Sequence, residues 1–192
     1  VSEDFGLRHP GMDRQAALAL LATADLIHDV DAISAAVNRV AREISTRLAE
    51  SYPVVLCVLN GGVPFAGHLL TQLSFPLDFD YVHLTRYGSA TTGGALSWRA
   101  APSLALLGRT VLIIDDILDE GMTLAAIQER VRQLGAAVCY TAVLAEKMNG
   151  RKKAAQADFV ALAVPDRFVF GFGMDVRGAW RNLPAIYAMR GE

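Results

Sequence analysis

The 192 residues, 53% of them apolar and 20% charged, are enough for one domain with a full core. A formal charge of −2 without a polybasic block argues against a nucleic-acid face or an electrostatic membrane stripe. No apolar run is long enough to span a bilayer, and the first residues lack the charged-then-apolar pattern of an export signal.

Residues 1–10 carry no periodic pattern and read as a frayed start. Ala and Leu dominate 13–26, which predicts a helix. A stronger helix follows Asp29 or Asp31 as N-cap, because Ile33, Val37, Val40, Ile44 and Leu48 step by three or four along one face. Its other face (Asn38, Arg39, Arg42, Glu43, Arg47) reads as solvated and without a role. Residues 54–59 are a continuous apolar run, predicting a strand buried on both faces. Asn60, Gly61 and Gly62 stop it, and a short helix is predicted over 63–73. A strand–Gly–Gly–helix junction is either a plain tight turn or an anion-accepting one.

Residues 77–84 alternate as a strand does, and Ser-, Thr- and Gly-rich residues 86–94 then offer little to bury. That stretch, which includes Arg86 and Tyr87, is expected to be a lid shielding a reactive intermediate from water. A returning strand is expected over 96–100.

Residues 110–124 then bring together a buried strand, two carboxylates (Asp115, Asp116), Ile117, Leu118, a third acid (Asp119), Glu120, Gly121, Met122 and Thr123. The helical spacing of Leu124, Ile127, Val131 and Leu134 follows at once. Gly121 permits close backbone approach, Thr123 adds a hydroxyl donor, and a helix N-terminus supplies free N–H groups, a combination suited to a phosphate. Acids beside a phosphate cradle imply sugar hydroxyls or a divalent cation as the second guest. A phosphorylated ribose with a metal satisfies both.

A further strand is expected over 137–144, with Lys147 just past its carboxyl end, where ligands of parallel sheets bind. Residues 151–153 read as an exposed basic turn, and 159–164 as the next strand. Phe168 either joins the core or offers a flat ring to a planar base, Asp175 could reach a metal, and Arg181 suits a diphosphate. A last strand is expected over 185–189. Cys57 and Cys139 lie in apolar runs without metal-ligand spacing, as structural thiols of a reduced, cytoplasmic protein do.

Residues 111–123, VLIIDDILDEGMT, resemble the phosphoribosyl-diphosphate (PRPP) motif of type I phosphoribosyltransferases. With strand–Asn–Gly–Gly, the lone Lys147, PDRFVFGFGMD and WRNL, the resemblance extends over about 54–189 and narrows to the hypoxanthine-guanine phosphoribosyltransferases. It implies an α/β fold, a mostly parallel twisted sheet flanked by helices. One domain is expected, with a core over about 30–165 and a small hood from about 1–25 and 165–192. The implied reaction moves the 5-phosphoribosyl group from PRPP to hypoxanthine or guanine, giving IMP or GMP and pyrophosphate, with Mg²⁺ as cofactor.

By the same resemblance Asp115 and Asp116 hold the ribose hydroxyls, and Asp119 to Thr123 wrap the 5′-phosphate. Asn60, Gly61 and Gly62 form the pyrophosphate loop, usually with a strained peptide before the glycines. Arg181 meets pyrophosphate, Asp175 helps bind Mg²⁺ with Asp115 and Asp116, and Asp119 accepts or shares a proton at purine N7. Lys147 reads the 6-oxo group, Phe168 stacks on the base, and the Val169 backbone meets its 2-position edge. Substrates are PRPP and a 6-oxopurine, with no nucleic acid or membrane partner, and a homodimer or homotetramer is implied. Asn60 and Glu120 depart from the common Lys and Thr of the family, and Asp115 from a common Glu. Alternatives are a xanthine- or adenine-preferring transferase and a PRPP-binding regulator on the same core; the regulator lacks support from charge or length. A Rossmann dehydrogenase is disfavoured because no G-x-G-x-x-G follows the first strand.

Overall fold

The computed structural model describes residues 11–86 and 96–191. The expected frayed start and most of the expected lid, Tyr87 included, lie outside the described residues; Arg86 closes a strand, its side chain outside them too.

Helix α1 spans Arg14–Thr23, with Asp13 capping it by accepting from the Ala16 amide. Here the structure departs from the helix expected over 13–26, because Asp25–His28 form strand β1. Its partner explains the difference. β1 pairs antiparallel with a strand near the other end of the sequence, a long-range contact that outweighs the helical propensity of a short Ala/Leu run. Helix α2 (Val30–Leu48) takes Asp29 as its cap, through the Ala32 amide, and buries Ile33, Val37, Val40, Ile44 and Leu48. Its polar face is not idle: Arg39 donates to the carbonyls of Val160 and Ala161, and the Arg47 guanidinium lies over the Tyr140 ring.

Strands β2 (Val54–Leu59), β3 (Asp78–Arg86), β4 (Leu96–Ala100), β5 (Thr110–Leu118), β6 (Val138–Met148) and β7 (Phe159–Pro165) make one sheet in the order β4-β3-β2-β5-β6-β7. All neighbours run parallel except β3 and β4. The two-residue period of β5 divides its side chains between two cores. Leu112 and Ile114 pack with α2 and α3 (Val63–Leu70), whereas Val111 and Ile113 pack with α4 (Met122–Gln133). Helix α3 stops three residues before the expected end. Thr71 is its C-cap, with the hydroxyl folded back to the His68 carbonyl. A smaller sheet joins β1 to β8 (Val169–Phe170) and β9 (Ile186–Ala188), in the order β1-β9-β8.

The order of the large sheet positions the site. From β2 the chain moves outward to β3 on one side, while β5 and β6 build on the other. The direction of winding therefore reverses between β2 and β5, and a crevice opens beyond their carboxyl ends. Asn60 and Gly61 follow β2 there, and Asp119 to Thr123 follow β5.

Candidate active site

The crevice is a cavity of about 290 Å³ lined by residues 59–61, 115–124, Asp175 and Arg181. Gly121 has φ +78, and a side chain there would meet the Ala155 amide nitrogen at 2.8 Å, so the turn into α4 admits only glycine. No side chain caps α4 and no acid occupies its first turn, which leaves the positive end of the helix facing the crevice. Glu120 is exposed on the rim, with its carbonyl accepting from the Ala154 amide.

On the opposite wall the Leu59–Asn60 peptide is cis. Gly61 lies so close to the Asp116 carboxylate that a Cβ would overlap it, and a Cβ on Gly62 would press on the carbonyls of Val58 and Ile114 at 2.8 and 2.9 Å. The glycine pair thus lets the β2 loop lie flat against the end of β5. Gly173, with φ +105, closes over the same loop against the Gly61 carbonyl. Arg181 donates to the Gly173 carbonyl and pairs with Asp175, whose other oxygen accepts from the Gly178 amide at 2.7 Å.

Asp115 is only 7% exposed, and burial together with the adjacent Asp116 charge pushes its carboxyl well above the ordinary range. Asp116 is raised as well, chiefly by burial, with Asp115's hydrogen bond and Arg181's charge pulling the other way. Burial also pushes the Cys57 thiol up to about 12 and the Cys139 thiol to about 11, so neither is a nucleophile at neutral pH.

Lys147 stands inside β6 rather than beyond it, since the strand runs to Met148, and its ammonium meets Asp119 at 2.7 Å. Phe168 is 43% exposed, while Val169 is buried in β8. Neither lines the crevice, and Gly62 packs beneath it. Two residues were hidden from sequence reasoning. Lys153, assigned to an exposed turn, is 11% exposed at its side chain. It donates to the carbonyls of Leu118 and Lys147 and pairs with Glu146, tying the end of β5 to the end of β6. Asn149 donates to Asp119. A run of three basic residues signals solvent, and only the fold turns one of them inward.

Residues 23–177 match the phosphoribosyl transferase domain family. The hypoxanthine-guanine phosphoribosyltransferase of Bacillus subtilis is 33% identical over 155 residues, 80% of this chain and 86% of that protein. The chain belongs to the hypoxanthine-guanine phosphoribosyltransferase family. Among solved structures, a hypoxanthine phosphoribosyltransferase from Staphylococcus aureus has the same fold, with a TM-score of 0.83 at 24% identity over 90% of this chain and 95% of that one. A hypoxanthine phosphoribosyltransferase from Trypanosoma cruzi, in a ternary substrates complex, gives 0.80 at 26% identity over 88% and 97%.

In this phosphoribosyltransferase the burial of Asp115 is expected to cost stability. A carboxyl raised in the folded state keeps its proton longer than in the unfolded chain, so stability falls as pH rises from the unfolded value of 3.8 through the raised one. Asp115→Asn removes that cost. Its melting temperature is expected to match the wild type near pH 4 and to exceed it increasingly above, as scanning calorimetry across pH checks.

Proposed function

We propose that this transferase moves the 5-phosphoribosyl group of PRPP to a ring nitrogen of hypoxanthine or guanine, giving IMP or GMP and pyrophosphate. The observation that carries the reading is the crevice itself. An uncapped helix N-terminus with a glycine turn, and the neighbouring acids Asp115 and Asp116, face a glycine loop backed by Gly173, which Arg181 holds. The helix end and Thr123 suit the 5′-phosphate, Asp115 and Asp116 the ribose hydroxyls, and Asn60, Gly61 and Arg181 the pyrophosphate.

As the bond from the anomeric carbon to pyrophosphate breaks, positive charge grows on the ribose and negative charge on the leaving group. Arg181 stabilises the latter. The purine nitrogen closes the new bond, and Asp119 takes up the proton or bonds to N7. Lys147 donates to the 6-oxo oxygen; adenine, which presents an amino donor there, would set one donor against another. Phe168 stacks on the base, and the Val169 backbone meets its 2-position edge.

Mg²⁺ fits the donor set: the oxygens of Asp115 and Asp116 are hard ligands on two adjacent carboxyls that are both raised by burial. Among the described residues no three His, Cys, Asp or Glu side chains gather as a cage, so the ion would share its oxygens with the substrate. Asp175 fits less well, because Arg181 and the Gly178 amide already occupy both of its oxygens. When bound, Mg²⁺ neutralises charge on the departing pyrophosphate. A homodimer or homotetramer in the cytoplasm completes the reading. Phe79 and Tyr81, exposed two residues apart on β3, supply apolar surface for it, and light scattering measures its size. No helix among the described residues is long and apolar enough to cross a membrane.

An ultraviolet assay with PRPP, Mg²⁺ and hypoxanthine, guanine, xanthine and adenine in turn tests the proposal. Turnover confined to hypoxanthine and guanine supports it, and xanthine as the sole good substrate overturns the base assignment. Lys147→Ala is expected to raise the KM for the purine by about 10–100-fold, the worth of a charge-assisted hydrogen bond, and that for PRPP far less. Equal effects on both would remove Lys147 from the base pocket.

A further inference from the structure

The geometry points to Asn149 as the positioning residue that sets the orientation of the Asp119 carboxylate toward the purine, an inference that rests on the transferase reading above. Asp119 Oδ2 accepts from Lys147 Nζ at 2.7 Å, and Asp119 Oδ1 accepts from Asn149 Nδ2 at 3.1 Å. With both oxygens engaged from β6 and the residue just after it, the carboxylate plane is fixed although the side chain is 44% exposed. A free carboxylate at that exposure rotates among several orientations. A base-facing acid that does so loses part of its catalytic worth, because proton transfer needs the acceptor within hydrogen-bond reach and in line.

The orientation of Asn149 is itself determined. Its carbonyl Oδ1 accepts from the Arg151 amide at 3.1 Å, so the amide nitrogen has to be the end that meets Asp119. Gly150, with φ +66, makes the turn that brings the Arg151 amide back. Two residues of one segment therefore divide the work. Lys147 offers its remaining N–H donors to a 6-oxo oxygen, and Asn149, which offers its amide to Asp119, holds the acid in the same plane when Lys147 turns toward the base. The side chain that reads the purine and the one that meets its proton are thereby aligned from a single strand end.

Steady-state kinetics of Asn149→Ala and Asn149→Asp, alone and combined with Asp119→Ala, test this against a merely structural role. The expected result is a fall in kcat/KM for hypoxanthine of about tenfold for the alanine variant, and more for the aspartate variant, which replaces a donor by a repelling charge. The KM for PRPP and the melting temperature should stay near the wild-type values. In the Asp119→Ala background Asn149→Ala should cost nothing further, since a positioning residue has no effect once its target is gone. If the loss instead persists undiminished in that background, or if PRPP and purine constants move together, Asn149 does not act through Asp119. An active wild type with both single variants within about twofold of it, the range of uncoupled changes, overturns this inference alone. A wild type inactive with every purine overturns the transferase reading with it.

Discussion

Asp119→Ala is expected to lower turnover with hypoxanthine or guanine by about 10²–10⁴-fold, the usual worth of a positioned acid–base group. The KM for PRPP should move little, because the buried acids Asp115 and Asp116, the start of α4 and the glycine loop all remain. Part of that loss has a second source, since Lys147 loses the oxygen that holds its ammonium at 2.7 Å. Asp119→Asn separates the two. The amide keeps the shape and an oxygen for Lys147 but has little basicity and turns its N–H toward the Asn149 donor, so a variant as slow as the alanine one assigns the loss to the carboxylate rather than to the holding of Lys147. Recovery to near wild type would reassign Asp119 to holding Lys147. Single-turnover and steady-state rates on both variants decide the matter.

The second large effect comes from a residue without a side chain. In Gly61→Ala the new methyl would coincide with the Asp116 carboxylate, while Gly173 presses on the carbonyl of the same residue from the other side. Neither neighbour can retreat easily. The Asp116 carboxylate accepts from the Ile117 amide at 2.9 Å, and Gly173 is held by Arg181. The loop must move, and a displacement of about an ångström at a substrate-positioning element costs on the order of 10²-fold in kcat/KM. The expected outcome is that loss for PRPP, with a folded chain by circular dichroism. Activity within about a factor of two of wild type would mean that the loop has slack the packing does not suggest.

How much of this was readable in the residues depended on the range of the contacts involved. Strands β2 and β5 announce themselves as unbroken apolar runs because both faces are covered, and α2 does so by its three-and-four spacing. The acidic glycine turn was equally legible, because three aspartates, a glutamate, a glycine and a threonine crowd one short junction. β1 was not, since what makes Asp25–His28 extended is β9, more than 150 residues away. β6 was read too short because Glu146 and Lys147 look like the end of a strand. In the fold they point to opposite sides, each to its own partner, Lys153 and Asp119, so the strand continues through them. Lys153 and Asn149 carried no local signal at all. A buried cation that satisfies two carbonyls and an amide that holds a carboxylate are properties of the assembled crevice.

The mutual approach of Gly61 and Gly173 has a consequence for recombining such enzymes. The segment after β7 bears directly on the backbone after β2, so these two stretches form a single inherited unit although more than a hundred positions separate them. A chimaera that takes its last quarter from a relative with a bulkier residue at the Gly173 position would set that segment on a displaced loop after β2. Crossovers that exchange both stretches together should survive, and those that split them should be silent in a salvage selection.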